Sequence, residues 1–306
     1  MGTPEFAVPI LEKLANSEYK PVAVFCAPDK PVGRKQTLTP PPVKVLAQKY
    51  SIPVFQPKDK IELASQLKTI NYQLVITAAY GLIFPKDILD APQYGCINVH
   101  PSLLPKYRGP SPIQAAILNG DAVTGVTIYK MDEQIDHGAI MAYRQSLIAN
   151  RKITTPELSS ELSKLGADLL LKILPDWLAG KITPAPQDDS RVTFTKIIKK
   201  EDGKIDWQKS AQEIERQIRA YTPWPGSYSQ IANGQLLIVK ILEAEISDTS
   251  AGKRPGEVFL TANNGLAVQT GNGALVIKKL QLEGGKSLSA QDLLRGHKEI
   301  IGILLQ

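Results

Sequence analysis

Between Pro21 and Ile148 the chain alternates short apolar runs with stretches of helical pattern, and few folds accept that alternation. The runs are VAVFCA (22–27), YQLVITAAYG (72–81), GCINVH (95–100), GVTIYKM (125–131) and GAIMAY (138–143). Strands separated by helices predict a mostly parallel sheet with helices on its faces, because parallel neighbours need a crossover connection. Pro112 to Leu118 reads as a short helix ended by Asn119-Gly120. Thr155-Pro156-Glu157 opens a longer helix, with Thr as cap and Pro in its first turn, which runs to about Ala179 and stops at Gly180.

Beyond that helix the character of the sequence changes. Residues 183–204 (TPAPQDDSRVTFTKIIKKEDGK) are polar, charged and proline-containing, which predicts an exposed linker with room for one short strand. Ser210-Ala-Gln-Glu213 is a capping box that opens the helix AQEIERQIRAY. Past Pro223, three turn signals, Asn233-Gly234, Asn264-Gly265 and Asn272-Gly273, punctuate β-branched runs such as LLIVKIL and ALVIKKLQL. The expected architecture is therefore a Rossmann-like α/β domain followed by a small antiparallel β-barrel of the oligonucleotide-binding (OB-like) type.

At 306 residues the chain is long enough for two cores, and 43% hydrophobic against 22% charged residues is ordinary for a folded protein. No apolar stretch reaches the roughly 18–20 residues that a membrane span needs, and no basic-then-apolar leader opens the chain, so no membrane and a cytoplasmic location are expected. The two cysteines, Cys26 and Cys96, lie in apolar strand-like runs at spacings of neither a metal site nor a disulfide framework. Three histidines, His100, His137 and His297, are too scattered for a metal centre. Neither a Gly-x-Gly-x-x-Gly after a strand nor a Walker loop is present, which removes the usual support for hydride and phosphoryl transfer. A net charge of +6 favours an anionic partner without requiring one.

What remains for chemistry lies in GCINVHPSLLPKYRGPSP (95–112). Alternation points Asn98 and His100 to one face as their strand ends, and Pro101 and Pro105 then turn the chain into a stiff loop. An Asn amide can donate to an oxygen that becomes anionic as a carbonyl is attacked, and an imidazole can take the proton of an attacking amine. Asp136, in Asp136-His-Gly138, follows another strand. If the strands are parallel it reaches the same carboxyl edge, where it would hold the imidazole tautomer. These groups suit acyl transfer. Spacing alone leaves a second reading open, in which Asn98 and His100 cap a strand end and Asp136 closes a turn.

NVHPSLLPKYRG with the downstream Asp-x-Gly resembles the formyltransferases that use 10-formyltetrahydrofolate, and among them the branch that acts on initiator methionyl-tRNA. The likeness extends to GTPEFAVPIL, PDKPVGRKQTLTPPPVK (28–44), AAYGLIFP, PIQAAILNGD, IRAYTPWPG and SAQDLL. It implies a catalytic domain over 1–182, a linker at 183–204 and an OB-like tRNA-binding domain over 205–306. It also implies Asn98, His100 and Asp136 as the catalytic triad, with Ser102, Leu103, Leu104 and Pro105 lining the folate pocket. Formyl transfer from 10-formyltetrahydrofolate to the α-amine of methionine on initiator tRNA follows, with no metal and a monomer expected. The basic, proline-rich segment 28–44 becomes the loop that meets the tRNA acceptor end, through Arg34 first and Lys35 beside it.

Lys278, Lys279, Lys286, Arg295 and Lys298 are candidates for a local basic patch in the second domain, or else ordinary exposed cations. Tyr221, Trp224 and Trp207 read as domain-interface core rather than as base-stacking platforms. The family carries a hydrophobic strand ahead of its Gly-Thr-Pro turn, whereas this chain begins MGTPEFAV. The central strand is thus expected to be missing, with Met1 internal to a longer natural chain or the protein shortened and inactive. The competing functions are a folate-dependent formyltransferase acting on glycinamide ribonucleotide or an amino sugar, and a non-catalytic RNA-binding relative.

Overall fold

A computed structural model of the chain describes residues 1–33, 36–232, 236–247 and 252–306, and they divide into two compact units. The first takes Met1–Pro112, Ala122–Ile148 and Glu157–Lys196; the second takes Ile113–Asp121, Ala149–Pro156 and Ile197–Gln306.

The strands of the first unit are β1 (Val24–Phe25), β2 (Lys30–Val32), β3 (Thr37–Thr39), β4 (Val54–Phe55), β5 (Val75–Thr77), β6 (Cys96–His100), β7 (Val123–Lys130) and β8 (Ile140–Leu147). Helices α1 (Val8–Ala15), α2 (Pro42–Lys49), α3 (Lys60–Leu67) and α4 (Lys86–Asp90) alternate with them. Next comes α5 (Pro112–Leu118), which groups with the second unit, and then α6 (Thr155–Leu178). β1 pairs with β4 and β5 with β6, both in parallel, while β7 runs antiparallel to β6 and β8 antiparallel to β7. β2 and β3 form a separate exposed hairpin. Helices bury one stripe each, as a period of 3.6 demands: Ile10, Leu11 and Leu14 on α1, Leu63 and Leu67 on α3. α6 reaches β6 at Gly166, where a Cβ would stand 2.7 Å from Val99 Cγ1, so glycine sets how closely that helix supports the strand.

The middle of this sheet is nearly empty. Between β1 and β5 run only Met1 and Gly2, held by three main-chain bonds: Met1 N to Ile76 O (2.5 Å), Ala78 N to Met1 O (2.9 Å) and Gly2 N to Phe25 O (3.0 Å). Beside them opens a cleft of about 480 Å³ lined by Ala7, Leu11, Val24, Val75, Leu174 and Leu178 among others. Burial lowers the pKa of the Met1 ammonium to about 6. Both cysteines are free and buried, and loss of hydration pushes their thiols up to about 11 for Cys26 and about 12 for Cys96.

In the second unit, α7 (Ala211–Ala220) starts at Ser210, whose hydroxyl oxygen accepts from Glu213 N while Glu213 reaches back to Ser210 N. Strands β9 (Ser227–Ala232), β10 (Leu236–Ser247), β11 (Val258–Leu260), β12 (Leu266–Gln269), β13 (Ala274–Leu282) and β14 (Ser287–Ser289) pair antiparallel in the order β11-β12-β13-β10-β9, with β14 on β13. Helix α8 (Ala290–Gly296) follows. The chain end closes the open side: Leu304 bridges Glu257, Leu305 bridges Ile231, and Gln306 exchanges both main-chain bonds with Gln230. A closed, OB-like curl results, which removes the exposed edges of an open sheet. Its core holds Ile214, Ile218, Val239, Ile241, Leu275 and Leu280. Trp207 and Tyr221 are buried, whereas Trp224 is 58% exposed between two prolines. The Asn233-Gly234 turn lies outside the described residues.

Candidate active site

β6 delivers Asn98 and His100 to one face, as its alternation requires, and each is tied down. Thr77 on the neighbouring strand donates its hydroxyl to Asn98 Oδ1 (2.7 Å), and Asn98 Nδ2 donates to the Tyr129 hydroxyl (3.2 Å). Asn98 faces Tyr129 directly in the β6–β7 register, which is why that contact forms. Tyr129 in turn donates to Asp136 Oδ1 (2.7 Å). Burial, and then the Asp136 carboxylate, hold the Tyr129 phenol well above its ordinary range, so it remains a neutral donor.

His100 is 4% exposed. Its Nε2 lies 3.0 Å from the Tyr107 carbonyl, and a carbonyl can only accept, so Nε2 carries a proton. The other nitrogen, Nδ1, faces Asp136 Oδ2 at 3.7 Å, beyond hydrogen-bond reach. The tautomer is therefore set by a backbone carbonyl, while the carboxylate sits beside the ring as a charge. Asp136 Oδ2 is fixed from the other side by the Gly109 N–H (2.7 Å). The two residues that approach the imidazole, Tyr107 (φ 64°) and Asp136 (φ 49°), are both non-glycine residues in the left-handed region. Such backbone is costly, roughly 1–3 kcal/mol each, and gathers where surroundings enforce a geometry.

Asp136 arrives by a different route from the expected one. β7 is antiparallel to β6, so Asp136 does not stand at a shared carboxyl edge; the β7–β8 loop curls back over the sheet instead. That return depends on Gly138, where a Cβ would stand 1.9 Å from the Lys130 carbonyl oxygen. The Asp-x-Gly spacing thus has a steric cause.

Residues 102–105 are pinned onto β7 by one hydroxyl. Thr127 Oγ1 donates to Ser102 O (2.7 Å) and accepts from Leu104 N (3.1 Å), and Ser102 Oγ donates to Lys106 O (2.6 Å). Ser102 and Leu104 are buried, whereas Leu103 and Pro105 are half-exposed. Leu103 lies over Gly125, where a Cβ would meet its Cδ2 at 2.6 Å.

Arg108, Gln187 and Asp189 around this cluster carry no signal of their own in the sequence. Arg108 is buried, and its guanidinium donates to Gln187 Oε1 from Nε (3.0 Å) and Nη2 (2.9 Å), with a further bond from Nη2 to Asp189 Oδ1 (2.6 Å). Gln187 Nε2 donates to the carbonyls of Asp136 (2.8 Å) and Gly138 (2.9 Å). His137 Nδ1 lies 2.5 Å from Asp132 Oδ2, and its Nε2 lies 3.6 Å from Asp189 Oδ2. Residues 187–189 thus touch the site from within the stretch read as a linker.

Arg34 and Lys35 lie outside the described residues. Lys44, at the end of the same segment, is held by both oxygens of Asp29 (2.8 Å each) and by Gln56 (2.8 Å). In the second unit Lys278 pairs with Glu245 (2.9 Å) and Arg295 with Asp292 (2.8 Å), which partly neutralises the candidate patch. Among the described residues no group of His, Cys, Asp and Glu is arranged to hold a metal, and no helix is long and apolar enough to cross a membrane.

Comparisons with known proteins fit this arrangement. Residues 1–174 match the family described as formyl transferase, and residues 197–298 match the formyl transferase C-terminal domain. The methionyl-tRNA formyltransferase of Citrifermentans bemidjiense is 44% identical over 307 residues, covering 100% of this chain and 95% of that one. Among solved structures, the N-formyltransferase of Helicobacter canadensis, determined with folinic acid and dTDP-3-aminofucose, superposes with a TM-score of 0.65 at 20% identity, over 94% of this chain and 97% of that one. HypX of Aquifex aeolicus superposes with a TM-score of 0.61 at 19% identity over 84% of this chain, which spans just under half (46%) of its length. At those identities the two structures speak for the fold alone. The chain, matched along its whole length by sequence and over 1–174 and 197–298 by the two domains, belongs to the formyl transferase family, on its methionyl-tRNA formyltransferase branch.

Proposed function

We propose that this chain transfers the formyl group of 10-formyltetrahydrofolate to the α-amine of methionine esterified to initiator tRNA, with Asn98, His100 and Asp136 as the reacting groups. The observation that carries the proposal is the 44% identity to a methionyl-tRNA formyltransferase along the whole chain. The clustering of an amide, an imidazole and a carboxylate at the end of β6 supports the chemistry.

In this reading the methionine nitrogen attacks the formyl carbon, the carbonyl oxygen becomes an oxyanion, and the bond from carbon to N10 of the folate breaks as tetrahydrofolate leaves. Asn98 spends one N–H on Tyr129 and offers the other to the oxyanion. His100 Nδ1, 3.7 Å from the Asp136 carboxylate, receives the proton of the attacking amine and returns it to the departing nitrogen. Net, one C–N bond forms, one breaks and one proton moves. The loop of Ser102, Leu103, Leu104 and Pro105, fixed by Thr127, is the proposed wall for the folate ring. Arg34 and Lys35 are the proposed contacts to the tRNA acceptor end.

The test is direct. Purified protein with 10-formyltetrahydrofolate is offered methionyl-tRNA, glycinamide ribonucleotide or a nucleotide-linked amino sugar in parallel. Formylmethionyl-tRNA is the expected product, and formylation of a small amine in preference to the tRNA overturns the reading.

A further inference from the structure

We infer that Gln187 is a positioning residue for Asp136, and that the Arg108–Gln187 pair is the clamp that sets where the Asp136 carboxylate stands. The inference rests on the proposed role of Asp136 and extends it to a residue outside the reacting groups.

Asp136 occupies a left-handed backbone conformation on the loop between β7 and β8, uncommon for residues other than glycine although Asp tolerates it better than most. Its carboxylate touches three partners: Tyr129, Gly109 and, at longer range, His100. None of them grips the backbone. Gln187 does, donating from one amide nitrogen to the carbonyls on both sides of His137, those of Asp136 and Gly138. A single group bonded to two carbonyls two residues apart fixes the turn between them, and with it the direction of the Asp136 side chain.

Gln187 is itself oriented from behind. Its amide oxygen accepts two N–H bonds from the guanidinium of Arg108, which is buried and planar, so the amide plane is set and its nitrogen must point at the loop. Arg108 lies between Tyr107, whose carbonyl holds His100 Nε2, and Gly109, whose N–H holds Asp136 Oδ2. One tripeptide therefore contacts the imidazole, the clamp and the carboxylate at once. A displacement of the loop by even 1 Å would move the carboxylate relative to the ring, and catalytic rates are sensitive to errors of that size.

The discriminating variant is Gln187→Glu. A carboxylate still accepts from Arg108, and as an ion pair it does so more strongly, but it cannot donate and it repels both carbonyls. Gln187→Ala removes both ends of the clamp. Two measurements are made on the wild-type chain and on each variant: amide hydrogen exchange resolved at Gly109, and steady-state formylation of methionyl-tRNA with the folate and tRNA concentrations varied separately.

The expected result is that exchange at Gly109 speeds up at least tenfold in both variants. Arg108 and Ser111, whose N–H groups bond to Thr193 O and Thr195 Oγ1, serve as unchanged controls. In parallel kcat falls at least tenfold while KM for either substrate stays within threefold, and Gln187→Glu melts within a few degrees of the wild type. Unchanged Gly109 exchange in Gln187→Glu overturns the clamp whatever the activity. Faster exchange with an unchanged kcat, or a loss carried by KM, overturns its bearing on the reaction. If the wild-type chain does not formylate, the proposed function fails, and the exchange comparison still decides the clamp.

Discussion

At the scale of single residues, the candidate site is a set of fixed distances. His100 owes its tautomer to Tyr107, and His100→Ala removes the proposed proton carrier, so kcat is expected to fall about 10²–10⁴-fold. Asn98→Ala removes the proposed oxyanion donor and is expected to cost about 10²–10³ in kcat. Asp136→Ala is expected to match the His100 change, and the double variant to be little worse than either, because groups that act as a unit do not add. Steady-state formylation with KM held in view checks all four. Tyr129 had no mark of its own in the sequence: it stands 31 residues from Asn98, and only the antiparallel register of β6 and β7 brings them together. Gln187 was hidden for another reason. A polar, proline-flanked stretch looks the same whether it is solvated or packed against a loop, because no periodicity separates the two.

At the scale of elements, those strands and helices that carried a local signal were legible, whereas the β2–β3 hairpin, in a segment read as a loop, was not. The capping box at Ser210, the glycine after α5 and the period-2 alternation of β6 all became the elements they predict. Strand direction was not legible, since alternation reads the same forwards and backwards, and so the route of Asp136 differed from expectation. The β7–β8 loop that carries it depends on one close approach. Gly138→Ala places a Cβ against the Lys130 carbonyl, and the loop must move or the strand end must part. We expect about 1–3 kcal/mol lower stability in denaturant titration and a fall in kcat, because Asp136 lies two residues away. The basic segment 28–44 is an element of a different kind, a β2–β3 hairpin with exposed strands and prolines on both sides. Arg34→Ala is expected to weaken kcat/KM for methionyl-tRNA and to leave folate affinity unchanged, which separate titration of the two substrates will show.

At the scale of the whole molecule, two units of unlike construction are each legible in composition and each closed in its own way. The second is sealed by its last three residues; the first has a gap in the middle of its sheet. That gap has a pH signature in the chain beginning at Met1. Its ammonium is lowered to about 6 by burial, whereas the unfolded chain keeps an ordinary value near 8. Between those two pH values the unfolded state binds more protons, so stability rises with pH across the window, by roughly 2–3 kcal/mol in all. Denaturant titrations at pH 5.5, 7 and 8.5 check the sign, and acetylation of the amine is expected to remove the slope.

In the chain beginning at Met1, the narrow seam at Met1 and Gly2 also separates the main-chain pairing of the first unit into two parts, which share a side-chain cluster of Phe25, Leu63, Leu67, Val75 and Cys96. On one side lie β1, β4 and the β2–β3 hairpin with its basic segment; on the other lie β5 to β8 and every group of the candidate site. Of the three main-chain bonds at this seam, two reach the β5 side and only Gly2 N to Phe25 O reaches β1, so main-chain pairing is thinnest along this line. Amide exchange at Val24 and Phe25 is then expected to be faster than at Ile97, Val99 and Ile128, although all five are buried. A fluctuation of that kind would loosen β1 and β4 while Asn98, His100 and Asp136 kept their places, so that the two parts of the sheet are expected to lose order at different temperatures.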